Sequence, residues 1–254
     1  MNIIACNDVH LTSTKPAGRT DDVLTAGLTK FYGILELANE NDAIVVVAGD
    51  LCEGRRDWYL LPKLIEMLTM FSNVPVYAVY GQHDMYMRSE ENKDATTLGV
   101  LVKAGLVHIL DNNNMLFDYE VSLQGCSWGQ DIPDSNGSNT LNILAIHAPI
   151  AERPVWPGHV YTDAKTFLDE HDYDLVICGD VHRRFHVTSG NKTAINTGPI
   201  VRIEADDYNR KLMPTVAMYD TETHDITWHN LPAKPGSEVL SREHIEAREE
   251  NKAM

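Results

Sequence analysis

The stretch "VYAVYGQHDMY" (residues 76–86) ends an apolar run at Gly81 and then sets an amide, an imidazole and a carboxylate side by side: Gln82, His83 and Asp84. Other apolar runs end in the same kinds of residue. "NIIACNDVH" ends in Asp8 and His10, "AIVVVAGD" in Asp50, "LNILAIHAP" carries His147, and "DLVICGDVH" ends in Asp180 and His182. One such residue at the end of a strand is ordinarily structural. Their recurrence at the end of run after run points to a shared site. A mixed carboxylate and imidazole set suits hard-to-borderline divalent ions such as Mn²⁺, Fe²⁺ or Zn²⁺. Two such ions about 3.5–4 Å apart can clamp a phosphoryl group and activate water for in-line attack.

The elements that must position these residues follow from the apolar pattern. Runs that are apolar at nearly every position read as strands buried on both faces. Residues 21–39, 57–71, 95–104 and 162–170 carry apolar residues at helical spacing, with Thr162 as the cap of the last. Strands alternating with helices imply βαβ units, which gather the ligand-bearing loops at the C-terminal edge of a sheet. The second half is richer in strand. "MLFDYEVSLQGCSW", "RFHVTSGNKTAINTG" and "TVAMYDTETHDITWHNL" read as hairpins that build a second sheet. "PAKPGSE" (232–238) reads as a linker, and the polar "SREHIEAREENKAM" as a helix-prone tail. The expected organisation is one domain over 1–231, followed by linker and tail over 232–254.

Composition limits the function. The chain has 254 residues, 43% of them hydrophobic, enough for a sizeable core. The net charge of −16 argues against a protein that grips nucleic acid with its whole surface. It leaves a phosphate-handling site open, because bound metal ions reverse the local sign. The N-terminus lacks the basic region of a signal peptide, and no apolar stretch is long enough to span a membrane. A soluble, cytoplasmic protein with no membrane partner is expected. Cys6, Cys52, Cys126 and Cys178 form no C-x-x-C pair and no disulfide framework is expected.

In order and spacing, "DVH" (8–10), "GD" (49–50), "GQHD" (81–84), His147 and "GDVH" (179–182) resemble the D-x-H, G-D, G-N-H-D/E, H and G-H-x-H motifs of the calcineurin-like metallophosphoesterase family. The resemblance covers about residues 1–230. It implies a four-layer αββα sandwich of two mixed β-sheets flanked by helices, and a metal-dependent phosphodiesterase. By motif position, Asp8, His10 and His182 would hold one ion and Asp50 would bridge. Gln82, His147 and Asp180 would hold the second. His83 would face the substrate as general acid or phosphate stabiliser, with Asp84 orienting its ring. Gln82 stands where the family has Asn, and Asp180 where it has His. Both departures fall on the second ion. They suggest a re-spaced, harder site favouring Mn²⁺, with Mg²⁺ or Fe²⁺ as alternatives.

Within the family, "GDLCEGRRDWYLLPKLIEML", "YGQHDMYMRSEENKDATTLGVLVKAGLVHIL" and "NTGPIVRIEADDYNRKLMPTVAMYDTET" look like the SbcD-type DNA-repair nuclease subunit of bacteria and phages. That likeness implies an exo- or endonuclease with DNA as substrate. It also implies an SbcC-like SMC-type ATPase as partner and a homodimer built through helices. Some members place an assisting His three residues after the bridging Asp, where this chain has Glu53. Arg55, Arg56, Arg183 and Arg184 directly follow two metal motifs and are candidates for contact with the DNA backbone; the alternative is ordinary surface charge. Trp156, in "ERPVWPGHVY", reads as a buried loop anchor ahead of a base-stacking residue. Two other functions remain open. One is the same chemistry on a small nucleotide or a phosphoprotein. The other is a non-catalytic scaffold on the same fold, against which the intact His83–Asp84 pair argues.

Overall fold

The computed structural model describes residues 1–54, 56–112, 115–117, 120–135 and 141–243. Arg55 and the tail beyond 243 lie outside the described residues. The strands of the first half are β1 (Asn2–Cys6), β2 (Ala43–Val47), β3 (Val76–Ala78), β4 (His108–Ile109), β5 (Met115–Phe117) and β6 (Val121–Cys126). Then come β7 (Leu141–His147), β8 (Ile150–Ala151), β9 (Thr162–Asp163) and β10 (Leu175–Gly179). The last are β11 (Phe185–Ser189), β12 (Lys192–Asn196), β13 (Thr215–Asp220) and β14 (Ile226–Asn230). The helices are α1 (Val23–Glu40), α2 (Leu61–Met70), α3 (Thr97–Lys103), α4 (Ala164–Glu170), α5 (Asp207–Lys211) and α6 (Gly236–Val239).

Two mixed sheets result, in the strand orders β14-β13-β1-β2-β3-β4 and β11-β12-β10-β7-β6-β5. In the first, β1, β2, β3 and β4 run parallel, with the antiparallel β13–β14 hairpin on the β1 side. In the second, β6, β7, β10 and β12 run parallel, and β5 and β11 close the edges antiparallel. The apolar runs are continuous because each strand buries both faces. On β1, Ile3 and Ala5 enter the layer between the sheets, where they meet Ile143, Ala145, Leu175 and Ile177 of the second sheet. Ile4 and Cys6 point the other way, into a cluster with Phe31, Ile34 and Leu35 of α1 and Leu64 of α2. On the outer face of the second sheet, Leu144, Val176 and Cys178 pack on Phe167 and Leu168 of α4. These are the four layers the family resemblance implies. All four cysteines are free and buried.

Helix starts shift for identifiable reasons. Asp22 caps α1 by accepting from Thr25 N. The helix expected from residue 57 begins at Leu61, because Asp57 Oδ1 accepts from Tyr59 N and Leu60 N in the turn before it. The cap of α4 is Asp163, not Thr162, since the Asp163 carboxylate accepts from Thr166 N at 2.9 Å. The segment read as a linker is instead packed on the body. Val239 and Leu240 are buried against Ala205, and Arg202 Nη2 donates to the Lys234 carbonyl at 2.6 Å. The chain entry is tied to this segment: Thr20 N donates to Val239 O at 3.0 Å and Ser241 N to Gly18 O at 2.9 Å. Pro and Gly break helices and strands, but they do not prevent an irregular segment from burying its apolar residues. Among the described residues no helix is long and apolar enough to cross a membrane.

Candidate metal centre

The C-terminal ends of β1, β2 and β3 in one sheet meet those of β7 and β10 in the other. The loops leaving these ends carry Asp8 and His10, Asp50, Gln82, and Asp180 with His182, while His147 is the last residue of β7. The first two loops are laced together by His10 N to Asp50 O (2.9 Å), Leu11 N to Leu51 O (3.0 Å) and Glu53 N to Leu11 O (2.9 Å). Asp8, His10, Asp50 and Asp180 all have positive φ, at 48°, 50°, 50° and 85°. Such strain costs about 1–3 kcal/mol per residue and persists where surrounding structure imposes it, as at functional sites. Glycine permits the close approach of the segments that carry the site. A Cβ on Gly81 would lie 2.0 Å from Asp50 Oδ1, and one on Gly49 would lie 2.1 Å from His147 Nδ1.

The donor atoms converge. The Nε2 atoms of His10 and His182 are 3.0 Å apart, and Asp8 Oδ1 lies 3.9 Å and 3.6 Å from them respectively. On the other side, His147 Nε2 is 2.6 Å from Gln82 Oε1 and 3.9 Å from Asp180 Oδ1. Between the two groups sits Asp50 Oδ2, 3.9 Å from His10 Nε2 and 3.4 Å from His147 Nε2. His147 Nδ1 donates to the Ala48 carbonyl at 2.8 Å, which fixes the ring and directs Nε2 at the centre.

This donor set fits divalent cations. Asp50 Oδ2 is a buried carboxylate oxygen with no hydrogen-bond partner. Burial alone would lower both His10 and His147. The Glu53 hydrogen bond and the charges of Asp50 and Asp8 instead raise His10 to about 9, and Asp50 and Asp8 raise His147 to about 10. The pull that keeps protons on buried imidazoles is the pull that holds a metal ion, whose binding releases those protons. Asp8 with His10 and His182, and Asp8 with Asp50 and His147, each bring their ligand atoms within 4.8 Å.

Gln82 and Asp180, the two departures from the family motif, touch each other. Gln82 Nε2 donates to Asp180 Oδ1 at 2.8 Å while Oε1 faces His147. Asp84 departs from expectation. Its carboxylate accepts from the backbone N–H groups of Leu51 (3.2 Å), Cys52 (2.9 Å) and Gly81 (3.1 Å), so it shapes the loops around Asp50 and does not orient the His83 ring. Glu53 takes that place. Its Oε1 is 3.0 Å from His83 Nδ1 and its Oε2 is 2.6 Å from His10 Nδ1. Burial would raise the Glu53 carboxyl, but the two ring hydrogen bonds hold it down at about 2.

Other positioning residues escaped the sequence reading. Asn7 Nδ2 donates to Asp8 Oδ2 at 2.7 Å and to Asn196 Oδ1 at 3.0 Å, and its Oδ1 accepts from Thr197 N at 2.7 Å. The signal available in the sequence was a polar Asn closing an apolar run directly before Asp8; in the fold it is fully buried.

The candidate substrate arginines are mostly engaged within the chain. Arg184 donates to the carbonyls of Thr197 and Met213 and to Thr215 Oγ1. Arg183 pairs with Asp206 at 2.5 Å and lies over the Tyr208 ring at 4.1 Å. Arg56 Nε donates to the Ala95 carbonyl at 3.0 Å. Trp156 is not a buried anchor: it is 56% exposed. Its ring lies 4.0 Å from that of His159, which stacks on Tyr161 at 5.1 Å. This loop joins β8 to β9.

No curated protein matches the sequence. Among solved structures, TT1561 of Thermus thermophilus shares the fold, with a TM-score of 0.53 at 11% identity over 91% of this chain and 99% of that one. An archaeal phosphodiesterase (TM-score 0.49, 17% identity, 91% of this chain, 100% of that one) is also similar. So is Vps29 of Entamoeba histolytica (TM-score 0.42, 12% identity, 91% of this chain, 100% of that one). A sequence profile of the calcineurin-like phosphoesterases matches residues 1–184, which include every converging donor described above, and the chain belongs to that family.

Proposed function

We propose that the chain is a two-metal phosphodiesterase acting on DNA, a nuclease of the SbcD type. The observation that supports phosphodiester chemistry is the convergence of His10, His182, His147 and Gln82 on Asp8 and Asp50, with His83 beside them. Asp8, His10 and His182 hold one ion, Gln82, His147 and Asp180 the other, and Asp50 lies between. Bound ions supply a Lewis-acid clamp for the phosphoryl oxygens and an activated water for in-line attack. Mn²⁺ is the expected metal, because Asp8, Asp50, Asp180 and the Gln82 amide are oxygen donors. Glu53 occupies Nδ1 of His83 and so leaves Nε2 to donate a proton to the leaving oxygen as its bond to phosphorus breaks.

The DNA assignment draws on the likeness of residues 49–68, 80–110 and 196–223 to SbcD-type chains and on the exposed Trp156 in the loop between β8 and β9. The same likeness proposes an SMC-type ATPase and a second copy of the chain as partners. Trp58, Tyr59 and Ile65, exposed at and before α2, offer that copy a surface. A second reading, a small phosphodiester substrate, is favoured by the internal engagement of Arg183 and Arg184 and by the charge of −16. Labelled linear duplex and single-stranded DNA are incubated with Mn²⁺, with and without chelator, beside a chromogenic small diester. Chelator-sensitive cutting of DNA is expected. Turnover of the small diester with DNA left intact would select the second reading.

A further inference from the structure

Apart from the metal centre, a cavity of about 390 Å³ lies between the first turns of α1 and the packed segment 232–240. Its wall includes Arg19, Lys30 and Arg202, with Ala26, Pro232 and Val239 among them. The three cations are only 3%, 2% and 3% exposed. Of the three, Arg19 alone has a carboxylate partner among the described residues, gripping Asp21 through Nε and Nη2 at 2.8 Å each. Arg202 donates Nη1 to the Leu212 carbonyl (3.1 Å) and Nη2 to that of Lys234 (2.6 Å), while its Nε is buried without a partner. Among the described residues, Lys30 Nζ donates only to the Ala26 carbonyl, at 3.0 Å. Asp22, the other acid on the wall, has its carboxylate engaged by Thr25 N and Oγ1 at the helix cap. Among the described residues, neither Lys30 nor Arg202 has a carboxylate within ion-pair distance.

A buried cation without a counter-charge is strongly destabilising. The chain is rich in acids, with a net charge of −16, yet among the described residues only Asp21 pairs with one of these cations, and Asp22 on the same wall is engaged at the helix cap. The crowding of like charges registers on Lys30: burial first, then the charges of Arg19 and Arg202, push its ammonium down to about 8 against the smaller opposing pull of Asp21. We propose that this cavity binds a phosphate-type anion, the phosphate group of a small molecule, between Lys30 and the two guanidinium groups. Guanidinium and ammonium donors form charge-assisted hydrogen bonds to phosphate oxygens, which are stronger than neutral ones. The bound anion supplies the counter-charge and ties α1 to the segment 232–240, which Arg202 already holds at Lys234. The site uses no residue of the metal centre, so it stands independently of the nuclease reading.

The test is calorimetric titration of the full chain with inorganic phosphate, once with Mn²⁺ and once with chelator. One binding event is expected to survive the chelator in the wild type. Lys30→Met and Lys30→Gln, the second keeping a donor for the Ala26 carbonyl, should weaken that event about tenfold or more. Both variants should melt no lower than the wild type in the absence of phosphate, since each removes an unpaired buried charge. Acetate, with a single charge, should bind at least tenfold more weakly than phosphate. Phosphate binding absent from the chelator-treated wild type, equal in both Lys30 variants, or matched by acetate would overturn the proposal.

Discussion

Glu53 is the residue on which the site's proton chemistry is most exposed to test. A single carboxylate, 28% exposed, accepts from the Nδ1 atoms of His10 at 2.6 Å and His83 at 3.0 Å. Replacing it with Gln keeps the shape but leaves one acceptor oxygen and one N–H donor group. The amide oxygen can serve one ring. The amide N–H then faces the Nδ1 proton of the other, and that ring must change tautomer or turn. The His10 contact is the shorter, so the oxygen should stay there and His83 should lose its partner. One charge-assisted hydrogen bond is worth about 1.5–3 kcal/mol, and outer residues of metal sites typically carry 10–100-fold in activity or affinity. Glu53→Gln is therefore expected to lower kcat on a small diester by about 10–100-fold, with metal content by elemental analysis unchanged. Glu53→Ala frees both rings and should also weaken the ion at His10. An unchanged kcat in Glu53→Gln would refute the assignment. So would loss of one metal ion with normal turnover per remaining site, which would make Glu53 a ligand.

His83→Ala should keep both metals and lose about 10²–10⁴-fold in kcat, the usual weight of a general acid; parallel metal analysis and kinetics check this. Truncation after Glu243 should leave the melting temperature within a degree or two. Truncation after Glu238 removes the buried Val239 and Leu240 and should lower it by roughly 10 °C. Trp156→Ala should raise KM for DNA by about 5- to 140-fold while leaving a small diester unaffected, as loss of about 1–3 kcal/mol of stacking requires. Asp180→His with Gln82→Asn should restore activity in Zn²⁺ better than either change alone, measured as a double-mutant cycle across metals.

The layers and the edge that carries the site were legible because they are written in local pattern. Runs such as "AIVVVAGD" can be satisfied only by burial on two faces, and each ends at the residue where the chain leaves the sheet. What was not legible depends on contacts between distant segments. Asp84 follows His83 directly, which suggested a dyad, yet its carboxylate turns to the backbone of Leu51 and Cys52, more than thirty residues earlier. Glu53 reaches both rings only because the loops after β1 and β2 are laced together. Adjacent arginines after a metal motif suggested substrate contact. In the fold, Arg183 and Arg184 meet Asp206, Tyr208 and Thr215, partners that no spacing rule connects to them. The segment 232–240 was misread because Pro and Gly report the absence of regular structure, not the absence of burial.

Gln82 and Asp180 show how far motif reading can reach. Each alone looks like erosion of a ligand set, a longer amide for a shorter one and a carboxylate for an imidazole. Across the site they form one unit: the Gln82 amide donates to Asp180 Oδ1 at 2.8 Å, and its oxygen is thereby turned to within 2.6 Å of His147 Nε2. The extra methylene of Gln lets the amide span both partners. The carboxylate at 180 offers only acceptor oxygens, so the amide cannot flip without facing oxygen to oxygen. Asp180 therefore sets which end of Gln82 faces the centre, and the pair keeps an oxygen donor on His147's side. A third carboxylate beside Asp8 and Asp50 makes that side harder and less positive than an imidazole would. For this reason the metal preference, more than the fold or the position of the ligands, is where this chain should differ from relatives that keep Asn and His.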